Sequence, residues 1–155
     1  MSKPSERLKE LGIALPPAPK PVASYVPYVR HGNLVFLSGQ IPPMQDGKPA
    51  YQGQAGFEQR LEDAREAAKL CTINALSVAA DAAGGIDNIE RIVKVVVYVA
   101  SHENFTGQHL VANGCSDLLK DIFGEAGRHA RAAVGVAELP LDSTVEVDIT
   151  LAVKT

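Results

Sequence analysis

The segment from Ile89 to Ala100 constrains this chain more than any other. It is rich in β-branched residues and holds the run Val95-Val96-Val97-Tyr98-Val99, which favours extended backbone over helix. A continuous run of this kind has no polar face of its own, so it predicts a strand covered on both faces. The rest of the chain must then supply neighbouring strands and a covering layer. The last strand, near Thr144 to Val153, fits beside it: Val145, Val147, Ile149 and Leu151 point one way, Glu146, Asp148 and Thr150 the other. Further strands are predicted at Tyr25 to Arg30, Asn33 to Ser38 and Arg131 to Val136, with His31-Gly32 as the first turn and Ile41 to Gly56 as a loop.

Two helices provide the cover. From about Phe57 to Ala83, Leu61, Ala64, Ala68, Cys71, Ala75 and Ala79 recur at helical spacing, and their small size allows close packing on a sheet. Gly84-Gly85 ends that helix, and a second runs from roughly Gln108 to Phe123. The order ββαβαββ predicts an α/β domain, a mixed sheet with both helices on one face. Its other face calls for oligomerisation, with sites at the joins. Residues 23–155 form this domain. Residues 1–22 precede it as a short helix, Pro4 to Gly12, and a proline-rich arm, Leu15 to Pro21, whose prolines exclude helix and central strand.

Composition narrows the functions. A chain of 155 residues, 46% hydrophobic and 21% charged, is ordinary for one domain. Its net charge of −3, without a basic stripe, disfavours nucleic acid as a partner. No apolar run suits a bilayer and the N-terminus lacks an export signal, so the expected location is the cytoplasm. Cys71 and Cys115 read as reduced, half-buried thiols. The four histidines are scattered without ligand spacing, so no metal is expected, and phosphate-binding glycine loops are missing as well.

Arg131 is the leading candidate for chemistry. It follows a glycine-rich loop and opens the small-residue strand Ala132-Ala133-Val134-Gly135-Val136. A guanidinium there is either a bidentate clamp for a carboxylate or a structural partner of Glu146 or Asp148. Glu146 faces away from the apolar stripe of its strand. It comes near the Arg131 strand if the last two strands form a hairpin, and there it either orients water or belongs to a solvated polar face. His129, two residues before Arg131, shares its side of the strand and is read either as a loop histidine or as a catalytic group. Ser38-Gly39-Gln40, at a strand end, is either turn chemistry or a ligand contact.

Together these residues resemble the Rid proteins, also called YjgF-like or L-PSP-type endoribonuclease proteins. Gly32-Asn33-Leu34-Val35-Phe36-Leu37-Ser38-Gly39-Gln40-Ile41-Pro42 is similar to the family signature. Ile92 to Val99 resembles the central strand, and Leu139-Pro140 with Val145-Glu146-Val147-Asp148 the closing segment. The resemblance implies a chorismate-mutase-like fold, a homotrimer and three inter-subunit clefts that hydrolyse 2-imino acids to 2-keto acids and ammonia without a cofactor. It implies Arg131 as carboxylate clamp, Glu146 as positioner of water, and Tyr25, Ser38, Gly39, Asn113 and Ala133 as cleft residues. The sequence departs from the family pattern around Arg131, reading His129-Ala130-Arg131-Ala132-Ala133-Val134 where the family has P-A-R-[ST]-x-V, with Ala133 where cysteine is common. Tyr25 follows Ser24 where proline is preferred. These departures keep a second reading open: a non-catalytic trimer that binds small carboxylates. Ribonuclease activity fits the acidic chain poorly, and chorismate mutase activity rests on fold analogy alone.

Overall fold

The computed structural model describes residues 2–20 and 23–155. Met1, Val22 and the last proline of the arm, Pro21, lie outside them. The elements are α1 (Pro4–Glu10), β1 (Tyr28–His31), β2 (Leu34–Leu37), β3 (Met44–Gln45), β4 (Lys48–Pro49), α2 (Leu61–Ala83), β5 (Ile89–Ala100), α3 (Gln108–Phe123), β6 (Ala130–Val136) and β7 (Val145–Val153). The main sheet has the order β1-β2-β7-β5-β6. Its pairs are antiparallel except β5 with β6, where α3 is the crossover that a parallel pair requires. This is the α/β architecture read from the sequence, a mixed sheet with α2 and α3 on one face.

The core lies between sheet and helices. Val95, Val97 and Val99 of β5 and Val145, Val147, Ile149 and Leu151 of β7 are buried there against Ala64, Ala68, Cys71, Ala75 and Leu76 of α2 and Val111, Cys115 and Leu119 of α3. Alanines on the inner stripe of α2 bring its axis close to the strands. Both thiols are fully buried, not half-buried as expected. Burial pushes the Cys115 thiol up to about 12 and the Cys71 thiol up as well, so both stay protonated. Outside the sheet, α1 docks through buried Leu8, and Ser5 donates to the Asp87 carboxylate from its amide (2.9 Å) and hydroxyl (2.7 Å).

Several sequence expectations change. Helix α2 begins at Leu61, because Phe57 and Gln59 are held in a turn whose amides donate to Gln54 O, and Arg60 is the extended N-cap. Strand β1 begins only after Pro27, and the turn falls at Gly32-Asn33. The loop at 41–56 contains the small hairpin β3–β4, which turns at Asp46-Gly47 with φ of 53° and 78°. The last two strands form no hairpin, because β5 lies between β6 and β7. Nor is β5 covered on both faces within one chain: Val96 and Tyr98 on its outer face are half-exposed. Beside them on that face stand Phe36 and Val29, 46% and 55% exposed. Among the described residues no helix is long and apolar enough to cross a membrane.

Candidate functional site

Register decides where each candidate points. Paired residues in neighbouring strands share a face of the sheet. Arg131 pairs with Val95, whose side chain is in the core, so Arg131 projects towards the helices. Glu146 pairs with Tyr98, between the inward Val97 and Val99, so it projects to the open face. The two residues expected to work together therefore lie on opposite faces of one sheet. The fold divides the predicted site residues into two groups.

The first group centres on Arg131. Residues His109, Asn113 and Ser116, spaced four and three apart on α3, lie along one helix face above β6. Nη1 of Arg131 donates to Asn113 Oδ1 (2.8 Å) and Ser116 Oγ (3.1 Å), and Nη2 donates to the His109 carbonyl (3.3 Å). All three acceptors are neutral. Among the described residues Arg131 makes no ion pair, so the structural reading, pairing with Glu146 or Asp148, is not what the fold contains. A guanidinium carries five N–H groups, and these bonds leave the Nε–H and one Nη2–H free of described partners. Ala133 sits two residues along the same face, packed against the core, where its methyl group makes room but offers no chemistry.

His129 completes this group. The loop before it crosses α3 so tightly that a Cβ on Gly127 would lie 2.2 Å from the Leu119 carbonyl oxygen, so no side chain fits there. That approach sets the Gly127 carbonyl 2.7 Å from His129 Nδ1 and Ser116 Oγ 2.9 Å from Nε2. A carbonyl accepts only, so Nδ1 carries the proton and Nε2 of the neutral ring accepts from the Ser116 hydroxyl. Burial, with the Arg131 charge adding to it and the Gly127 bond opposing, holds the ring below its ordinary pKa and so neutral. Ser116, His129 and Arg131 line a cleft of about 340 Å³ with Asp117, Lys120, Gly127 and Arg128. Ser116 was not among the sequence candidates. The signal was its place three residues after Asn113 on the face that meets Arg131.

The second group lies where β2 leaves the sheet. Gln40 N donates to Val147 O (2.8 Å) and Val147 N to Gln40 O (2.9 Å), which ties the Ser38-Gly39-Gln40 segment alongside Glu146. A Cβ on Gly39 would stand 2.8 Å from Glu146 Oε1, so glycine is what lets the carboxylate lie there. Ser38 spends its hydroxyl on Val26 O (2.5 Å) and its amide on Pro27 O (2.9 Å), pinning the segment that carries Tyr25. Tyr25, itself 56% exposed, lines a shallow cleft of about 140 Å³ with Pro27, Ser38, Gly39 and Ile41. Burial raises the Glu146 pKa, and the neighbouring Asp148 raises it further; Asp148 is raised by burial too. Among the described residues no cluster of three or more His, Cys, Asp or Glu could hold a metal.

Among the described residues, neither the Arg131 guanidinium of the first group nor the Glu146 carboxylate of the second makes an ion pair. Comparison with known proteins gives the arrangement its context. Residues 5–152 match the family model described as "YjgF/chorismate_mutase-like, putative endoribonuclease". Protein TCP17 of Trypanosoma cruzi is 44% identical over 142 residues, 91% of this chain and 88% of that protein. A 2-iminobutanoate/2-iminopropanoate deaminase of Dermatophagoides farinae is 28% identical over 136 residues, covering 88% and 91%. Among solved structures, Atu1372 of Agrobacterium tumefaciens, a protein with unknown function, aligns with a TM-score of 0.88 at 42% identity, covering 98% of this chain and 92% of that one. TdcF of E. coli with bound serine aligns with a TM-score of 0.62 at 25% identity, covering 89% and 94%.

Proposed function

Because this chain belongs to the YjgF/chorismate-mutase-like family, we propose that it hydrolyses reactive 2-imino acids to 2-keto acids and ammonia, in clefts completed between copies of a homotrimer. The observation that carries the reading is Arg131: a half-buried guanidinium braced by three neutral acceptors, with two N–H groups left for an incoming carboxylate. The relatives support it. One is named as an imine deaminase, and another was crystallised with serine, a small molecule with the same carboxylate. The half-exposed apolar outer face of the sheet supports assembly, since Val29, Phe36, Val96 and Tyr98 gain from cover.

The chemistry asks little of the protein. Arg131 binds the substrate carboxylate and so fixes the C=N carbon in the cleft. Glu146 of a neighbouring copy, with its raised pKa, takes a proton from water as the water oxygen bonds to that carbon and the π pair moves to nitrogen. The same carboxyl group returns the proton to nitrogen. The carboxylate, free again, then carries the hydroxyl proton to the amino nitrogen, so that ammonia leaves as the C–N bond breaks and the C=O bond of the keto acid forms. Tyr25, Ser38 and Gly39 wall the Glu146 side, with Asn113 and Ala133 beside Arg131. No step requires a cofactor.

The second reading, a carboxylate-binding protein without turnover, draws on the opposite-face placement of Arg131 and Glu146 within a chain. A coupled assay separates the two. An amino-acid oxidase or threonine dehydratase generates imine, and semicarbazide traps what survives. Wild type is expected to suppress trapping while folded Arg131→Ala does not. Equal trapping with both, over several side chains, would overturn imine hydrolysis. The binding reading would then stand on melting-temperature shifts with carboxylates.

A further inference from the structure

In the reaction above Ser116 only braces Arg131 and His129 has no part, yet their arrangement is that of a nucleophile, its base and an orienting acceptor in series. The Gly127 carbonyl fixes the ring at 2.7 Å, Nε2 faces Ser116 Oγ at 2.9 Å, and Arg131 Nη1 donates to the same oxygen at 3.1 Å. The first contact sets the tautomer, the second gives the hydroxyl proton an acceptor, and the third favours negative charge on Oγ. Ser116, His129 and Arg131 all line one open cleft.

We propose that Ser116 is a nucleophilic hydroxyl, activated by His129, that takes the acyl group from small esters carrying a negative charge. The ester class follows from the lining. Lys120, Arg128 and Arg131 face the cleft against the single carboxylate of Asp117, so an anionic substrate is drawn in and a cationic one is not. Two N–H groups of Arg131 are free to hold its charged end. In the reaction, Ser116 Oγ bonds to the carbonyl carbon, its proton passes to His129 Nε2, and the π pair moves onto the carbonyl oxygen. On collapse the ester C–O bond breaks, and the leaving alkoxide takes the proton from His129. Water then adds to the acyl carbon and gives a proton to His129, which returns it to Ser116 Oγ as the acyl–serine bond breaks. An ester and water become an acid and an alcohol, with no oxidant or cofactor.

The charged groups that bear on the ring are Arg131 on β6, which begins just after His129, Asp117 and Lys120 on α3, and Arg128 beside it in the loop, itself 3.6 Å from Glu125. Burial, aided by the Arg131 charge, outweighs the Gly127 hydrogen bond and lowers the ring's pKa, so it serves as a base.

The test uses the full chain and a fluorophosphonate reagent, which joins phosphorus to an activated serine oxygen as fluoride leaves. Peptide mass spectrometry is expected to find the label on Ser116. The labelling rate should fall as pH drops through the titration of His129, and should fall about 100-fold in His129→Gln. Wild type without label on Ser116 would overturn the proposal. So would labelling that is independent of pH across that range, or equally fast in a folded His129→Gln variant. The wild-type site and its pH profile decide the matter even if a variant fails to fold. Turnover of the 4-nitrophenyl monoester of succinic acid should exceed that of 4-nitrophenyl acetate, and the reverse order would remove the anionic class. None of these readouts involves an imine, so this proposal and the deaminase reading can fail separately.

Discussion

The Arg131 region and the Glu146 region differ in how each manages a polar group on an apolar sheet. Arg131 sits on the helix face, braced by a side-chain amide, a hydroxyl and a carbonyl, and among the described residues it makes no ion pair. Glu146 sits on the open face, against a glycine that makes way for it, and its pKa is raised because burial and Asp148 both disfavour its charge. Ordinarily a cation and a carboxylate so placed would relieve each other by pairing. Here strand order forbids that within one chain, since β5 separates β6 from β7 and the two side chains point to opposite faces. On the proposed reading, each region carries the half of the chemistry that the other lacks. In the proposed homotrimer, a neighbouring copy joins them.

The kinetic signatures of the two regions should differ. Arg131→Ala removes the carboxylate clamp, and kcat/KM for imine hydrolysis is expected to fall about 10³-fold, mostly through KM. Glu146→Gln keeps the clamp and should lower kcat by about 10²-fold with KM nearly unchanged. The same signature from both variants, read by initial rates across substrate concentration, would show that the two regions do not divide binding and proton transfer between them. Gly39→Ala acts at one remove: its methyl group displaces the Glu146 carboxylate, and a loss of about tenfold in kcat is expected while carboxylate binding at Arg131 persists.

The smallest effects are in stability against pH, and there the two regions should slope oppositely. The Glu146 and Asp148 pKa values are raised on folding, so their contribution is full in acid and is lost as pH rises from about 3.8 for Asp148 and about 4.5 for Glu146 through the raised values. The His129 pKa is lowered on folding, so its contribution is present above about 6.5 and is lost as pH falls through the lowered value. Melting curves of Glu146→Gln and His129→Gln against wild type should each remove one slope. With these groups half-exposed, shifts of about 1–3 °C are expected.

Much of the fold was legible because its signals are local. The β-branched run gave β5 its bounds at Ile89 and Ala100, and the strict alternation of β7 put Val145 inward and Glu146 outward. Tertiary contacts, by contrast, decided what local pattern could not. The start of α2 depends on a turn closed by Gln54, and the order of β5, β6 and β7 depends on α3 crossing over the sheet. For the site, Arg131 stood out because a long cation interrupts a run of alanines. Ser116 did not, since a serine on a polar helix face looks like any other. Its meaning comes from the close approach of Gly127 to α3, which brings His129 above it.

Whether a working cleft joins the Arg131 region of one copy to the Glu146 region of another is decided by subunit mixing. Folded Arg131→Ala and Glu146→Gln proteins, each inactive alone, are dissociated, combined in equal amounts and reassembled, with exchange followed by native mass spectrometry. In a cyclic assembly a cleft is intact when Glu146→Gln supplies its Arg131 side and Arg131→Ala supplies its Glu146 side, which random mixing gives in about one quarter of clefts. Recovery of about that fraction of wild-type activity is the predicted result. Mixed assemblies that form and stay inactive would contradict it.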